Sequence, residues 1–222
     1  MCGRFTRFHT WSDIHGMYSL LPSEERGRNT EAHYNIAPTD PVEFVVNVGD
    51  GSYQVMEGMW WLVPFWAKEK PKLPLFNARS ETADAKSAFR DAWQKRRCLI
   101  PASGFYEWTK AEDGGRDPWF IHLPETAPFS FAGLWAHNKT LDITSCTVLT
   151  MPAAEPLSQL HDRQPVILDE DAYDEWLDPD TPPDDLKPLL NRNLDSELIF
   201  HRVGREVNKN TSEGRELIQK TG

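Results

Sequence analysis

Cys2, directly behind Met1, is the residue with the most distinctive chemistry in this chain. Initiator methionines are removed readily when the next side chain is small, so the sequence is compatible with a mature chain beginning at Cys2. Such a terminus carries an amine and a thiol on adjacent carbons. The α-amine titrates near ~8, against ~10.4 for a lysine, so much of it is neutral and nucleophilic at pH 7. The thiolate is a second nucleophile. Together they capture an aldehyde twice, first as an imine and then as a closed five-membered thiazolidine. An internal cysteine cannot do this, because its nitrogen is part of an amide. The competing reading is simply a small residue in second place.

Several blocks accompany Cys2. The chain opens Met1-Cys2-Gly3-Arg4-Phe5 and continues with Tyr34-Asn35-Ile36-Ala37-Pro38, Trp60-Trp61-Leu62-Val63-Pro64-Phe65-Trp66 and Phe76-Asn77-Ala78-Arg79-Ser80-Glu81-Thr82. Gly104-Phe105-Tyr106-Glu107-Trp108, Leu160-His161-Asp162-Arg163-Gln164-Pro165 and Val207-Asn208-Lys209-Asn210 follow. In order and spacing this resembles the SRAP family (SOS response-associated peptidase), nearly end to end. The resemblance implies a DNA-repair protein whose N-terminal cysteine forms a covalent thiazolidine with the ring-opened aldehyde of an abasic site in single-stranded DNA. It also links the matching glutamate to removal of the initiator methionine. Two positions depart from the family pattern: Trp61 stands where Gly is common, and Gln164 where Met is usual.

Each site residue carries two readings. Glu107 is either a solvent-facing strand glutamate or, desolvated by Phe105, Tyr106 and Trp108, a general acid/base with a raised pKa. His161 is either tied to Asp162 or a proton shuttle for sugar ring opening. Asn77 and Arg79 precede an expected helix. Either they cap it and face solvent or, as the resemblance implies, Asn77 contacts the opened sugar or the Cys2 amine and Arg79 a phosphate, the latter helped by a helix N-terminus. Arg4 is a natural phosphate ligand beside the nucleophile, and Gly3 allows close approach to DNA. Most of the nine tryptophans belong in a core. Trp66 and Trp108, in family-matching blocks, are the expected base-stacking platforms. Asn35 and Pro38 are expected to shape the floor under Cys2. Thr150 and Asn208 match family positions without an assigned role. The imine stage also allows β-elimination, a weak lyase side reaction. No metal or cofactor is called for.

These residues need a scaffold. A helix is expected over 10–21, capped by Thr10 or Ser12, with Trp11, Ile14, Met17 or Tyr18, and Leu21 on one face. Arg26–Thr30 is polar loop. Val42–Val48 and Tyr53–Trp61 flank Gly49-Asp50-Gly51 as a hairpin. A helix over 81–96 turns Ala85, Ala88, Phe89, Ala92 and Trp93 inward. Strands follow at Arg97–Ile100, Phe105–Trp108, Trp119–Leu123, Phe129–Trp135 and Thr144–Thr150, with a turn at Asp113-Gly114-Gly115. Helices are expected over 169–177 and 182–190, then a strand at Leu198–Val203. This pattern predicts an α+β chain, a single domain on a curved, mainly antiparallel sheet or open barrel with flanking helices.

Composition sets outer bounds. At 222 residues the chain can bury a real core. It has no apolar run of the ~20 residues a membrane helix needs and no secretory signal pattern, so a cytoplasmic monomer is expected. Cys2, Cys98 and Cys146 show no CxxC spacing, which argues against a disulfide framework or zinc site and makes Cys98 and Cys146 packing residues. The net charge of −10 is unusual for a DNA partner. Nine acids crowd between Asp169 and Asp185 without one Lys or Arg, and the remaining acids and bases nearly balance. That segment is expected to be solvated and turned away from nucleic acid. Two rivals remain: an N-terminal-nucleophile hydrolase or self-processing peptidase, and a non-catalytic reader of modified cytosine.

Overall fold

The β-branched and aromatic run Val42-Glu43-Phe44-Val45-Val46 is buried at every position, not at alternate ones. A strand buried on both faces separates two apolar layers, and the sheet pairing shows which. A computed structural model describes residues 2–18, 31–49 and 52–221. Met1, Arg26–Thr30, Leu21, Asp50, Gly51 and the side chain of Trp11 lie outside the described residues.

The elements run in the order β1 (Phe5–Arg7), α1 (Trp11–Met17), β2 (His33–Ile36), β3 (Pro41–Asn47), β4 (Tyr53–Trp60) and β5 (Asn77–Arg79). Next come α2 (Arg90–Lys95), β6 (Arg97–Ala102), β7 (Gly104–Lys110), β8 (Arg116–His122), β9 (Phe129–Asn138) and β10 (Ile143–Pro152). The chain finishes with β11 (Arg163–Pro165), β12 (Ile167–Leu168), α3 (Tyr173–Leu177), α4 (Pro183–Leu189) and β13 (Ile199–Arg202). One sheet is ordered β13-β8-β7-β1-β2. The other runs β10-β4-β3-β6-β9 and closes on itself, because β9 pairs back with β10 from Gly133↔Val148 to Asn138↔Ile143. The α+β class and curved, mainly antiparallel sheet are therefore as expected, but the barrel is closed. The β4–β10 and β5–β10 pairings are parallel.

Alternate residues of the barrel wall face opposite ways. Val42, Phe44, Val46, Cys98, Ile100, Phe131, Cys146 and Val148 join one cluster, together with Cys2, Phe5, Phe105 and Ile121. Val45, Leu99, Ala132, Leu134 and Leu149 join another with Ile14, Trp93, Trp176 and Leu186. Helices do not fit inside five strands, so the second cluster is the outer coat. The first fills the barrel and joins it to the five-stranded sheet.

Two helices are shorter than expected. Thr10 caps α1 through a capping box with Asp13, and the helix stops at Met17 instead of 21. The expected 81–96 helix is mostly a chain of turns, helical only from Arg90 to Lys95. Ser80, Thr82, Asp84 and Ser87 compete with the helical backbone for hydrogen bonds. Ala83 is buried there, whereas Ala85 is exposed. The strands β1, β2, β5, β11 and β12 were not expected from sequence, being two to four residues long.

Candidate active site

Antiparallel pairing of β1 with β7 sets Phe5 opposite Phe105 and Thr6 opposite Gly104. The Tyr106 N–H donates to the Arg4 carbonyl at 2.9 Å, continuing that ladder. Stepping back along the N-terminus thus means stepping forward along β7, which carries Gly3 and Cys2 toward Glu107 and Trp108. On the barrel side, one edge of β10 holds β5, with Asn77 opposite Val148. The end of the same strand holds β11, with Pro152 opposite Arg163. Asn77 and the loop carrying His161 are therefore positioned by a single strand.

The Asn77 side-chain N–H donates to the Cys2 carbonyl oxygen at 2.7 Å. Its Oδ1 is buried and accepts no hydrogen bond among the described residues. Cys2 is fully buried. Burial first, then the Glu107 carboxylate, pushes its thiol pKa far up, so the sulfur is held protonated. Glu107 is 5% exposed, which excludes the solvent-facing reading. Burial raises its pKa, and the nearby His161 opposes the shift. The Arg163 backbone N–H donates to His161 Nδ1 at 2.9 Å. That bond makes Nδ1 an acceptor and leaves the ring proton on Nε2. Asp162 also lies 2.9 Å from Nδ1 but is 88% exposed, so solvent screens it.

Gly3, Arg4, Phe76, Glu107, Trp108 and His161 line an open groove of about 950 Å³. It continues along Thr109, Lys110, Gly114, Gly115, Arg116 and Asn208. None of the nine acids of the 169–185 segment lines it.

Three expectations look different in place. Arg4 is engaged by the protein: Nη1 donates to Asn35 Oδ1 at 2.5 Å and to the Val207 carbonyl at 3.0 Å, and Nη2 to Asn210 Oδ1 at 2.7 Å. It lines the groove while tying the C-terminal segment to β1, and buried Asn35 donates onward to the Lys209 and Ser212 carbonyls. Arg79 is exposed on β5, outside the groove lining. With α2 starting only at Arg90, the helix N-terminus expected directly after Arg79 is not there. Trp66 is 54% exposed and also lies outside the groove lining. Trp108 is in the groove, its indole N–H donating to Asn208 Oδ1 at 2.6 Å.

Other positions gain a place. Arg163 grips Glu81 with two guanidinium nitrogens and donates to the Thr150 carbonyl at 2.6 Å, which ties the His161 loop to the segment after β5. Gln164 is buried where the family pattern has Met; its side-chain oxygen accepts from the Ala154 N–H at 2.8 Å, whereas its Nε2 has no hydrogen-bond partner among the described residues. Trp61 covers Phe76, ring centroids 5.8 Å apart. Phe76, Lys110 and Arg116 were not foreseen; the last two are signalled only by symmetry about the Asp113-Gly114-Gly115 turn. Among the described residues, no group of three or more His, Cys, Asp or Glu is placed to hold a metal ion. None of the described helices is long and apolar enough to cross a membrane.

A family model described as "SOS response associated peptidase (SRAP)" matches residues 1–210. The chain belongs to the SRAP family. Its SRAP relatives include the abasic site processing protein YoaM of Bacillus subtilis, 35% identical over 98% of this chain and 97% of that one. The abasic site processing protein YedK of Escherichia coli is 28% identical over 99% of both chains. Among solved structures, a Bacteroides thetaiotaomicron protein superposes with TM-score 0.82 at 20% identity, covering 99% of this chain and 100% of the other. A Bordetella bronchiseptica protein reaches 0.77 at 27% identity over 91% and 100%.

Proposed function

We propose that this SRAP chain captures abasic sites in single-stranded DNA as a thiazolidine on Cys2 once Met1 has been removed, shielding the lesion during repair. The observation carrying this reading is that Glu107 and His161, which line the groove, adjoin buried Cys2 and the Asn77 that holds it just behind the lining. The full-length relatives named for abasic site processing support it.

The Cys2 amine adds to the aldehyde carbon of the opened sugar. Acting as general acid, Glu107 donates a proton to the departing hydroxyl, so one water leaves and an iminium forms whose nitrogen keeps its remaining proton. The thiol then adds across the C=N bond. Sulfur bonds to carbon, the C=N electron pair returns to nitrogen, and the thiol proton passes to the Glu107 carboxylate, restoring it. No oxidant is involved. Intramolecular closure has an effective concentration of up to ~10⁵ M or more, which favours a durable ring. His161, with Nδ1 held and Nε2 protonated, serves ring opening, and Asn77 Oδ1 accepts from the sugar hydroxyl or the Cys2 amine. Glu107 also serves release of Met1, and β-elimination from the imine supplies a weak lyase activity.

The test is incubation of Met1-free protein with a single strand bearing one abasic site, followed by a denaturing gel and intact mass. A shifted band whose mass equals protein plus DNA minus one water, absent in Cys2→Ala, is expected. No band from protein verified as Met1-free would sink the proposal.

A further inference from the structure

The groove runs well past the four reacting side chains, along the β7–β8 hairpin. Lys110 lies opposite Arg116 across that hairpin, and Trp108 opposite Pro118. Period-two alternation puts Trp108 and Lys110 on one face of β7. Arg116, directly across from Lys110, shares that face. All three line the groove, and Asn208 joins them by accepting from Trp108 and donating to the Arg116 carbonyl.

The hairpin sorts its charges. Asp113 and Asp117 both pair with Arg205, and Asp117 also pairs with Arg202. Glu112 is exposed and does not line the groove. Lys110 and Arg116 are exposed, and among the described residues neither side chain makes an ion pair. Two adjacent cations with unpaired charge thus face a groove in a chain of net charge −10, while Asp113 and Asp117 are neutralised by arginines. Like charges opposite one another on a strand pair destabilise it, so this pair is better suited to an anion than to the fold.

We infer that the Lys110–Arg116 pair is a second subsite, for the backbone phosphates of DNA flanking the abasic nucleotide on one side. This rests on the single-stranded DNA reading above. Lys110 is three strand residues from Glu107, roughly 10 Å along β7, so the subsite serves a neighbouring nucleotide, not the lesion. Trp108, on the same face of β7 as Lys110, is a stacking surface beside the subsite.

The experiment compares the parent with the Lys110→Gln/Arg116→Gln double variant and with Lys110→Arg/Arg116→Lys, which keeps both charges. Fluorescence anisotropy reads affinity for a lesion-free oligonucleotide across salt concentrations. The glutamine variant should bind about tenfold more weakly near 0.15 M salt, with a salt slope shallower by about 1.4, for two contacts at ~0.7 each on a single strand. The charge-keeping variant should restore both. In adduct assays at subsaturating protein, the parent's advantage should appear with strands extended to one side of the lesion and vanish with strands that end at it. Equal affinity and equal salt slope for parent and glutamine variant would overturn the subsite while leaving capture by Cys2 untouched. If neither protein forms an adduct, the capture chemistry falls, and the anisotropy still decides the subsite.

Discussion

Asn77 donates a hydrogen bond to the Cys2 carbonyl oxygen at 2.7 Å, fastening the N-terminus to a strand seventy-odd residues away. The bond fixes the peptide following the reactive atoms, and Oδ1 of the same amide remains available to a ligand. Asn77→Ala should lower stability by about 1 kcal/mol and slow adduct formation at least tenfold. Asn77→Asp, which keeps the shape but loses the N–H, should do no better. Urea midpoints and timed gels check both; an alanine variant with the parent's rate would remove Asn77 from the mechanism.

Glu107 predicts a pH signature. Its folded pKa is raised by burial above the ordinary 4.5, so the native state holds this proton more tightly than the unfolded chain. The associated stabilisation is full below that ordinary value and is lost as pH rises through the folded pKa. Glu107→Gln cannot ionise. Its melting temperature should therefore gain on the parent's as pH rises from about 4.5, while adduct formation falls by ~10²–10⁴-fold. Melting curves across pH test the first part; a gap that does not change with pH would contradict it.

Arg4 is predicted to act as a strut. Its contacts to Asn35, Val207 and Asn210 are charge-assisted, at roughly 1.5–3 kcal/mol each before compensation. Arg4→Lys keeps the charge but cannot span three acceptors. Faster hydrogen exchange over residues 205–213 is expected, with a stability loss of about 1–3 kcal/mol. Unchanged exchange in that segment would show that Arg4 does not hold it.

Gly104 marks a close approach between β7 and β8. A Cβ there would lie 2.3 Å from Phe120 Cζ and 2.9 Å from the Ile121 carbonyl. Gly104→Ala should destabilise by about 1–3 kcal/mol and disturb the β1–β7 register that carries Cys2 to Glu107. Calorimetry compares the variant with the parent; a loss below about 0.5 kcal/mol would show that Phe120 yields easily.

The chain's own chemistry was legible before any fold. Cys2 behind Met1 states the aminothiol option, and the β-branched runs Val42–Val46 and Phe129–Trp135 state strands, because side-chain type and period are local properties. The nine-acid segment after Asp169 was equally plain. What stayed hidden was anything carried by pairing. β5 is only three residues long and is a strand because β10 offers it an edge. The 81–96 segment has helical periodicity, yet its polar side chains and the burial of Ala83 favour turns. Arg4 was chemically suited to a phosphate, but the return of residues 207–210 in space supplied protein acceptors. The burial that raises Glu107 and the register that delivers Cys2 to it depend on residues about a hundred positions apart. No local pattern encodes such separations, so only the tertiary structure decided them.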